Sequence, residues 1–286
     1  METGFKSFRE ISRTLTLVEN DLPGAQEILA NLLSENIPLI GITGPPGAGK
    51  STIVKCLIDG FLKENARIAV LAVDPTSPFN FGSLLGDRIR MQTYSTHPDV
   101  YIRSIATRGS LGGLSGKVIE MTDVLKASGF DYIIVETVGV GQSEVEIASL
   151  ADITLLVLVP ESGDEIQSIK SGIMEVADGF IINKADREGA DKFAENLRRT
   201  SGRKAVVFKT IATKNEGIEE VIDFIKKFQQ PSKDKSFLIA QKAWKLIQAK
   251  RMANINSKLL QQEIAEEANK PGFNLYKYVE SKAKNS

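Results

Sequence analysis

Short apolar runs recur along the middle of the chain from residue 38 onwards, and stretches with helical spacing separate them. The runs are largely apolar and show no regular alternation with polar residues, which is typical of strands buried on both faces of a parallel sheet. We therefore predict an α/β fold in which helices cover both faces of a mostly parallel sheet. The predicted strands are residues 38–43, 67–73, 100–105, 131–136, 153–159, 179–183 and 205–210.

Both ends of the chain show the three- and four-residue apolar spacing of helices. The first part contains two such stretches with a break at Leu22-Pro23, and the part after residue 230 carries a helical pattern that includes Trp244. We interpret Trp244 as a packing or subunit contact. The sequence thus predicts an N-terminal helical extension at residues 1–37, a central α/β domain at 38–230 and a C-terminal helical extension at 231–286.

Composition limits the possible partners. The 36 Lys and Arg residues balance the 36 Asp and Glu residues, so no global field favours nucleic acid. Basic residues outnumber acidic ones after residue 230, where a solvated helical surface is the simpler explanation. The longest strongly apolar run, ITLLVLVP, is far shorter than the ~20 residues of a membrane span. We expect a cytoplasmic protein without a signal peptide, a membrane contact or a nucleic-acid partner.

The chain has one cysteine, Cys56, and one histidine, His97. These residues exclude an internal disulfide, and they are too few for a Cys/His cluster that binds zinc or nickel. Because Cys56 follows a predicted phosphate loop at helical spacing, we expect its side chain to pack in the core.

A phosphate-binding motif follows the first predicted strand. The segment GPPGAGKS, from Gly44 to Ser51, matches the pattern G-x-x-x-x-G-K-[ST] between a strand and a helix. Glycines allow backbone N–H groups to surround the phosphates, Lys50 reaches the outer phosphates, and Ser51 can bind Mg²⁺. The predicted nucleotide contacts in this region are Gly44, Gly47, Ala48, Gly49, Lys50, Ser51 and Thr52.

A second motif, Asn183-Lys184-Ala185-Asp186, ends the predicted strand at 179–183 and indicates which base is bound. The carboxylate of Asp186 can accept two hydrogen bonds from guanine, whereas adenine offers no such pair of donors. We expect Lys184 to lie along the base plane. Thr210 and Ala212 end the next strand, where a backbone N–H can contact the guanine carbonyl. By itself, a motif of this kind also fits a surface turn. Because it follows a phosphate loop in this chain and lies at the end of a strand, we favour guanine binding.

Acidic residues at the ends of two other strands are candidate metal ligands. Asp74 ends the second predicted strand and Glu136 the fourth, so both can face Mg²⁺ beside the phosphates. Asp87 lies in a glycine-containing stretch and is a candidate catalytic residue. A role in a helix cap or in an ion pair with a neighbouring arginine explains Asp87 equally well.

Several long segments together carry a specific resemblance to a known family. They are DPTSPFNFGSLLGDRIRM (74–91), YIRSIATRGSLGGLS (101–115), VETVGVGQSE (135–144) and ESGDEIQSIKSGIMEVADGFIINKAD (161–186). With the phosphate and base motifs, they resemble the MeaB/ArgK family of P-loop GTPases. The resemblance implies a P-loop NTPase fold, GTP as the substrate, Mg²⁺ as the metal ion, and no tightly bound organic cofactor.

The resemblance also implies a biological role. Members of this family act with adenosylcobalamin-dependent acyl-CoA mutases, chiefly methylmalonyl-CoA mutase, and use GTP binding and hydrolysis to gate cofactor loading and to protect the mutase. It further implies a homodimer, with residues 231–286 as the dimerisation region. Three segments are expected to respond to nucleotide: residues 74–91, 137–144 and 161–170. The predicted catalytic residues are Lys50, Asp87 and Glu136, and Gly139 is a further predicted nucleotide contact. The resemblance adds Asp164, Glu165, Gln167 and Lys170 as residues of partner signalling.

The residue that activates water is not evident from the sequence. Val140 lies where many GTPases have a water-orienting glutamine, and Gln142 follows two residues later. We therefore expect slow intrinsic hydrolysis, completed by Asp87 or by a residue of the mutase. The alternatives are a transport-associated kinase or ATPase, a nickel-type metallochaperone GTPase, and a scaffold that binds GTP without needing to hydrolyse it.

Overall fold

The computed structural model describes most of the chain, in separate segments. These are residues 7–33, 36–74, 92–94, 96–106, 116–137, 150–163, 174, 177–200, 206–228, 235–252, 255, 257–270 and 272–284. We number the helices and strands of these residues in chain order. The chain divides into two compact units, Met1–Lys233 and Asp234–Ser286, which we call the sheet unit and the C-terminal unit. The domain boundaries predicted from the sequence stay predictions.

In the described part of the sheet unit, seven parallel strands form one sheet in the order β3-β2-β4-β1-β5-β6-β7. The strands are β1 Leu39–Thr43, β2 Ile68–Asp74, β3 Val100–Ala106, β4 Tyr132–Thr137, β5 Ile153–Leu158, β6 Gly179–Asn183 and β7 Val206–Thr210. All seven predicted strands are confirmed, with boundaries that agree to within one residue. The predicted α/β fold is confirmed with them.

The central strands are mostly apolar because helices cover them on both sides. Every residue of β1, β5 and β6 is buried. Alternate residues of a strand face opposite sides, and two separate apolar clusters reflect this alternation. In β5, for example, Leu155 packs in one cluster and Leu156 in the other. The helices of this unit are α1 Phe8–Glu19, α2 Ala25–Ala30, α3 Lys50–Leu62, α4 Gly116–Lys126, α5 Ala190–Thr200 and α6 Ile218–Lys227.

The predicted two-helix lead is confirmed, and its first helix packs within the sheet unit. Ser7 begins α1 with a capping box, in which its hydroxyl accepts from the Glu10 N–H and the Glu10 carboxylate accepts from the Ser7 N–H. The ring of Phe8 lies 5.5 Å from that of Tyr101 on β3. Residues at three- and four-residue spacing on α1 are fully buried, namely Ile11, Leu15 and Val18.

The C-terminal unit contains three described helices, α7 Lys235–Met252, α8 Ser257–Glu267 and α9 Leu275–Lys284. The Tyr278 hydroxyl on α9 donates to the Glu263 carboxylate on α8 at 2.6 Å. Large apolar side chains remain exposed on these helices, including Ile239, Trp244, Ile247, Met252, Leu259 and Tyr276. Among the described helices of both units, none is long and apolar enough to cross a membrane.

Candidate functional site

The loop between β1 and α3 has a backbone that requires glycine at two positions. Gly44 has a φ of 137°, and a Cβ at this position would lie 2.0 Å from the carbonyl oxygen of Val157. Gly49 has a φ of 92°, and a Cβ there would lie 2.3 Å from the amide nitrogen of Asn183. Only glycine therefore allows the loop to approach the neighbouring strands this closely.

The ammonium group of Lys50 is held against this loop. Lys50 is the first residue of α3 and is buried, and its Nζ donates to the carbonyl oxygens of Gly44 at 2.8 Å and Pro45 at 3.0 Å. The loop wraps around the helix N-terminus, where the helix dipole and backbone N–H groups favour an anion. Ala48 is fully buried in the loop, and the Thr52 N–H donates to the Gly49 carbonyl within the first turn of α3.

Two buried side chains that carry oxygen atoms lie beside the loop. The Ser51 hydroxyl on α3 donates to Glu136 Oε1 on β4 at 2.7 Å. Parallel pairing aligns Ile42 of β1 with Glu136, so the carboxylate lies next to the strand that leads into the phosphate loop. Asp74 ends β2, the next strand along the sheet, and its backbone pairs with Ala106 on β3. Hydroxyl and carboxylate oxygens are the ligands that Mg²⁺ prefers, so Ser51 and Glu136 fit this ion.

Asn183 connects the phosphate loop to the end of β7. Its side-chain amide donates to the Ala48 carbonyl at 2.9 Å. Its Oδ1 accepts from the Ala212 N–H at 3.2 Å and from the Thr210 hydroxyl at 3.3 Å. All four residues are buried, so these hydrogen bonds fix the relative positions of the two predicted motifs.

The rest of the predicted base motif lies on an exposed turn. Lys184 adopts a left-handed backbone with a φ of 56°, and its Nζ donates to the Gly47 carbonyl at 2.9 Å. The turn closes through the Arg187 N–H, which donates to the Lys184 carbonyl at 3.0 Å. Asp186, between them, is exposed to solvent. The structure therefore places Lys184 over the phosphate loop and leaves Asp186 at the surface.

Cys56 is a contact of this site that the sequence did not reveal. Its thiol donates to the Ala212 carbonyl at 3.2 Å, so α3 contacts the loop after β7. Burial raises the pKa of the Cys56 thiol, which keeps it protonated as a donor. The prediction that Cys56 is buried in the core is confirmed.

Tyr94 also contacts α3, and it belongs to the part of the chain that precedes β3. It lies in the 3₁₀ helix Gln92–Tyr94, and its hydroxyl donates to Asp59 Oδ1 on α3 at 2.5 Å. Burial, and then the hydrogen bond to Asp59, raise the pKa of Tyr94. Helix α3 therefore has side-chain contacts both to the base region and to the residues that precede β3.

An ion pair borders the base motif. Glu161 lies in the 3₁₀ helix Pro160–Gly163 after β5, and its Oε1 lies 2.5 Å from Nη1 of Arg187. The hydrogen bond from Arg187 is the main cause that lowers the pKa of the Glu161 carboxyl, and the charge of Lys184 acts in the same direction. No sequence motif signalled this pair.

Several predicted residues cannot be placed in the site. The side chain of Asp74 is outside the described part of the structure, as are the residues Asp87, Gly139, Asp164, Glu165, Gln167 and Lys170. Their predicted roles in metal binding, catalysis, nucleotide contact and partner signalling stay predictions.

Comparisons with known proteins show which family the chain resembles. The family model for the methylmalonyl-CoA mutase-associated GTPase MeaB matches residues 11–269. A protein of Pyrococcus abyssi that is described as a GTPase is 52% identical over 234 residues, which cover 78% of this chain and 72% of that protein. The mouse protein named "Methylmalonic aciduria type A homolog, mitochondrial" is 35% identical over 272 residues, which cover 83% of this chain and 66% of that protein.

A solved structure supports the same relationship. The crystal structure of the LAO/AO transport system kinase is 26% identical to the chain, with a TM-score of 0.64, and the match covers 92% of this chain and 83% of that chain. The predicted P-loop fold is confirmed by this likeness. The chain belongs to the MeaB family of methylmalonyl-CoA mutase-associated GTPases, and it is a P-loop GTPase.

Proposed function

We propose that the protein is a GTP-dependent chaperone of a cobalamin-dependent acyl-CoA mutase, with methylmalonyl-CoA mutase as the partner. In this role it gates the loading of adenosylcobalamin and protects the mutase from inactivation. The observation that carries the proposal is the family match over residues 11–269, because the description of that family names association with methylmalonyl-CoA mutase. The proposal includes a homodimer and a cytoplasmic location.

The phosphates of GTP bind at the N-terminus of α3 in this proposal. The Lys50 ammonium is already close to the loop, where it donates to two carbonyl oxygens. An arriving phosphate oxygen is a stronger acceptor than a carbonyl because it is charged, so Lys50 exchanges its loop contacts for the outer phosphates. Buried Ala48 and the glycines around it keep the backbone N–H groups directed at the nucleotide.

Mg²⁺ binds beside these phosphates, with Ser51, Asp74 and Glu136 as its proposed protein contacts. The buried Ser51 hydroxyl and Glu136 carboxylate are already 2.7 Å apart. The ion supplies positive charge that offsets the charge on the outer phosphates. Glu136 holds the Ser51 oxygen in position for this contact, since burial of both side chains restricts their rotation.

Guanine is recognised by the turn after β6. The exposed Asp186 carboxylate accepts the two donors of the base, and the Lys184 side chain covers the base plane while its Nζ contacts the Gly47 carbonyl. Asn183 supports both, because it bridges Ala48 and Ala212. The chain thereby fixes the distance between the phosphate and base regions before the nucleotide binds.

Slow hydrolysis suits a timer better than a metabolic catalyst. The sequence places Val140 where a water-orienting glutamine is expected, so the isolated protein lacks that residue at this position. We assign water activation to Asp87, or to a residue that the docked mutase supplies. Replacing Asp87 by Ala should lower basal or mutase-stimulated turnover; unchanged values of both would remove Asp87 from this role.

The decisive experiment measures GTP hydrolysis by the purified protein, alone and with a cobalamin-dependent acyl-CoA mutase from the same organism. Basal turnover should be slow, should rise when the mutase is added, and should be absent with ATP. A mutase that leaves GTP turnover unchanged would contradict the chaperone proposal and favour a scaffold. The Asn183→Ala variant serves as the negative control. It removes the hydrogen bonds that link Ala48 and Ala212, so its GTP turnover should be lower both alone and with the mutase.

A second candidate function comes from the solved relative that is named as a transport system kinase. In that case the protein would transfer phosphate from ATP to a transport component. The same assay decides between them, since ATP turnover with phosphate transfer to a protein favours the kinase. Among the described residues, no group of three or more His, Cys, Asp or Glu side chains could hold a nickel ion.

A further inference from the structure

The ion pair between Glu161 and Arg187 joins two parts of the site that lie 26 residues apart in the chain. Strand β5 lies between β1 and β6 and pairs with both. Glu161 follows β5, so it lies at the sheet edge between the strand that leads into the phosphate loop and the strand that ends in the base motif. Parallel strands bring their carboxyl ends to one edge of a sheet, which is where ligands bind.

The partner of Glu161 closes the base turn. The Arg187 N–H donates to the Lys184 carbonyl at 3.0 Å, and the Ala185 N–H donates to the Thr210 carbonyl at 3.0 Å. Asp186, the residue proposed to read guanine, lies between these two anchored residues and is exposed. A contact that restrains the Arg187 side chain therefore restrains the position of Asp186 as well.

Charge directs the Glu161 carboxylate towards the base turn. Two cationic side chains of the turn, Arg187 and Lys184, both favour the ionised form of Glu161. The pair itself is half-exposed, with side-chain accessibilities of 49% for Arg187 and 54% for Glu161. Exposed pairs have small effects, so this contact adjusts the geometry of the turn and does not hold the fold together.

We propose that the Glu161–Arg187 ion pair is a positioning contact for guanine recognition. The contact keeps the base turn in the geometry in which Asp186 accepts the two donors of the base. This inference rests on the proposed reading of guanine by Asp186.

The first test measures the dissociation constants of GDP and inosine diphosphate for the isolated protein. Inosine diphosphate lacks the exocyclic amine of guanine, so the preference for GDP reports how well Asp186 is positioned. We expect Glu161→Gln and Arg187→Gln each to weaken GDP binding by about two- to fivefold and to reduce the preference for GDP. The double variant should bind no more weakly than either single variant, because both changes remove one interaction.

The matched control is another exposed ion pair, in which the distance between the nitrogen and oxygen atoms is the same. Arg199 and Glu195 on α5 lie 2.5 Å apart, and the variants Glu195→Gln and Arg199→Gln should leave both dissociation constants unchanged. Thermal unfolding midpoints of all variants should match that of the wild type. Wild-type affinity and preference in the Glu161 and Arg187 variants would overturn the positioning role, as would effects that multiply in the double variant.

The second test replaces Asp186 by Ala and separates this inference from the proposed reading of guanine. Asp186→Ala should abolish the preference for GDP over inosine diphosphate. A wild type that binds the two nucleotides equally would contradict the reading of guanine by Asp186, whereas a wild-type preference that survives in Glu161→Gln and Arg187→Gln would overturn the positioning role alone.

Discussion

The two units of the chain differ in where they place their large apolar side chains. In the sheet unit, Phe61, Phe130 and Phe180 are all less than 2% exposed. In the C-terminal unit, Trp244 is 70% exposed and Tyr276 is 84% exposed. The sheet unit therefore has a core of its own, whereas the C-terminal unit presents apolar side chains that suit a partner surface. From this difference we predict that changes in the sheet unit affect stability and catalysis, and that changes in the C-terminal unit affect the proposed association.

The largest expected effect is on the free energy of unfolding, when a buried ring is removed from the sheet unit. Phe61 on α3 stacks on Tyr132 with ring centroids 4.1 Å apart. Phe61→Ala removes this contact and leaves a cavity, which should lower the free energy of unfolding by about 3–5 kcal/mol. Urea unfolding followed by circular dichroism measures it. The control, Trp244→Ala, should change the free energy of unfolding of the monomer by less than about 0.5 kcal/mol; equal losses would contradict the comparison.

The next largest effect concerns catalysis. Lys50→Ala removes the ammonium group proposed to contact the outer phosphates, so GTP turnover should fall by about 10²–10³-fold. Lys282→Ala is the corresponding change in the C-terminal unit, where Lys282 pairs with Glu263 at 2.6 Å. Phosphate release measured at saturating GTP should be unchanged in that variant. A similar loss of turnover in both variants would show that catalysis depends on the two units alike.

The sheet could be predicted from the sequence because its strands are buried. Residues 153–159 are apolar except for Thr154, and β5 occupies Ile153–Leu158 with every residue buried. A strand covered on both faces needs no alternation, so its apolar run marks its limits directly. The phosphate loop was predictable for a related reason, since Gly44 and Gly49 occupy backbone positions that other residues do not tolerate.

The side-chain contacts between motifs could not be predicted in the same way. The sequence indicated that Asn183 belongs to the base motif, but not that it bridges Ala48 and Ala212. The predicted contact of a backbone N–H in residues 210–212 with the guanine carbonyl stays a prediction. In the structure, the Ala212 N–H donates to Asn183. Such contacts depend on strand order and side-chain direction, which local patterns do not contain. The Glu161–Arg187 pair was missed for this reason.

The third prediction concerns association. If a second copy covers the exposed face of α7, as the proposed homodimer requires, Trp244 is a strong candidate for a dominant contact, because tryptophan is enriched among such residues. Trp244→Ala should then raise the dimer dissociation constant by about tenfold or more. Analytical ultracentrifugation measures it, with Lys192→Ala on α5 as an exposed control. A wild-type protein that sediments as a monomer would contradict the proposed homodimer.

The smallest expected effect compares one tyrosine from each unit. The Tyr94 hydroxyl donates to Asp59 at 2.5 Å in the sheet unit, and the Tyr278 hydroxyl donates to Glu263 at 2.6 Å in the C-terminal unit. Tyr94 is only 4% exposed, and burial is the main cause that raises its pKa. For Tyr278, the hydrogen bond to Glu263 is the main cause, and it raises the pKa to about 12.

These causes predict different responses to alkaline pH. A raised pKa means that the fold favours the neutral phenol, so the contribution of Tyr278 to stability is present below the usual tyrosine pKa of about 10 and is lost as pH rises through about 12. Glu263→Gln should therefore return the pKa of Tyr278 towards its ordinary value in an ultraviolet titration, with Tyr278→Phe identifying its signal. Tyr94 should ionise only as the sheet unit unfolds, because ionisation would place a charge in the core beside Asp59. Ionisation of Tyr94 before unfolding, with the sheet unit still intact by circular dichroism, would contradict the distinction between a buried and an exposed unit.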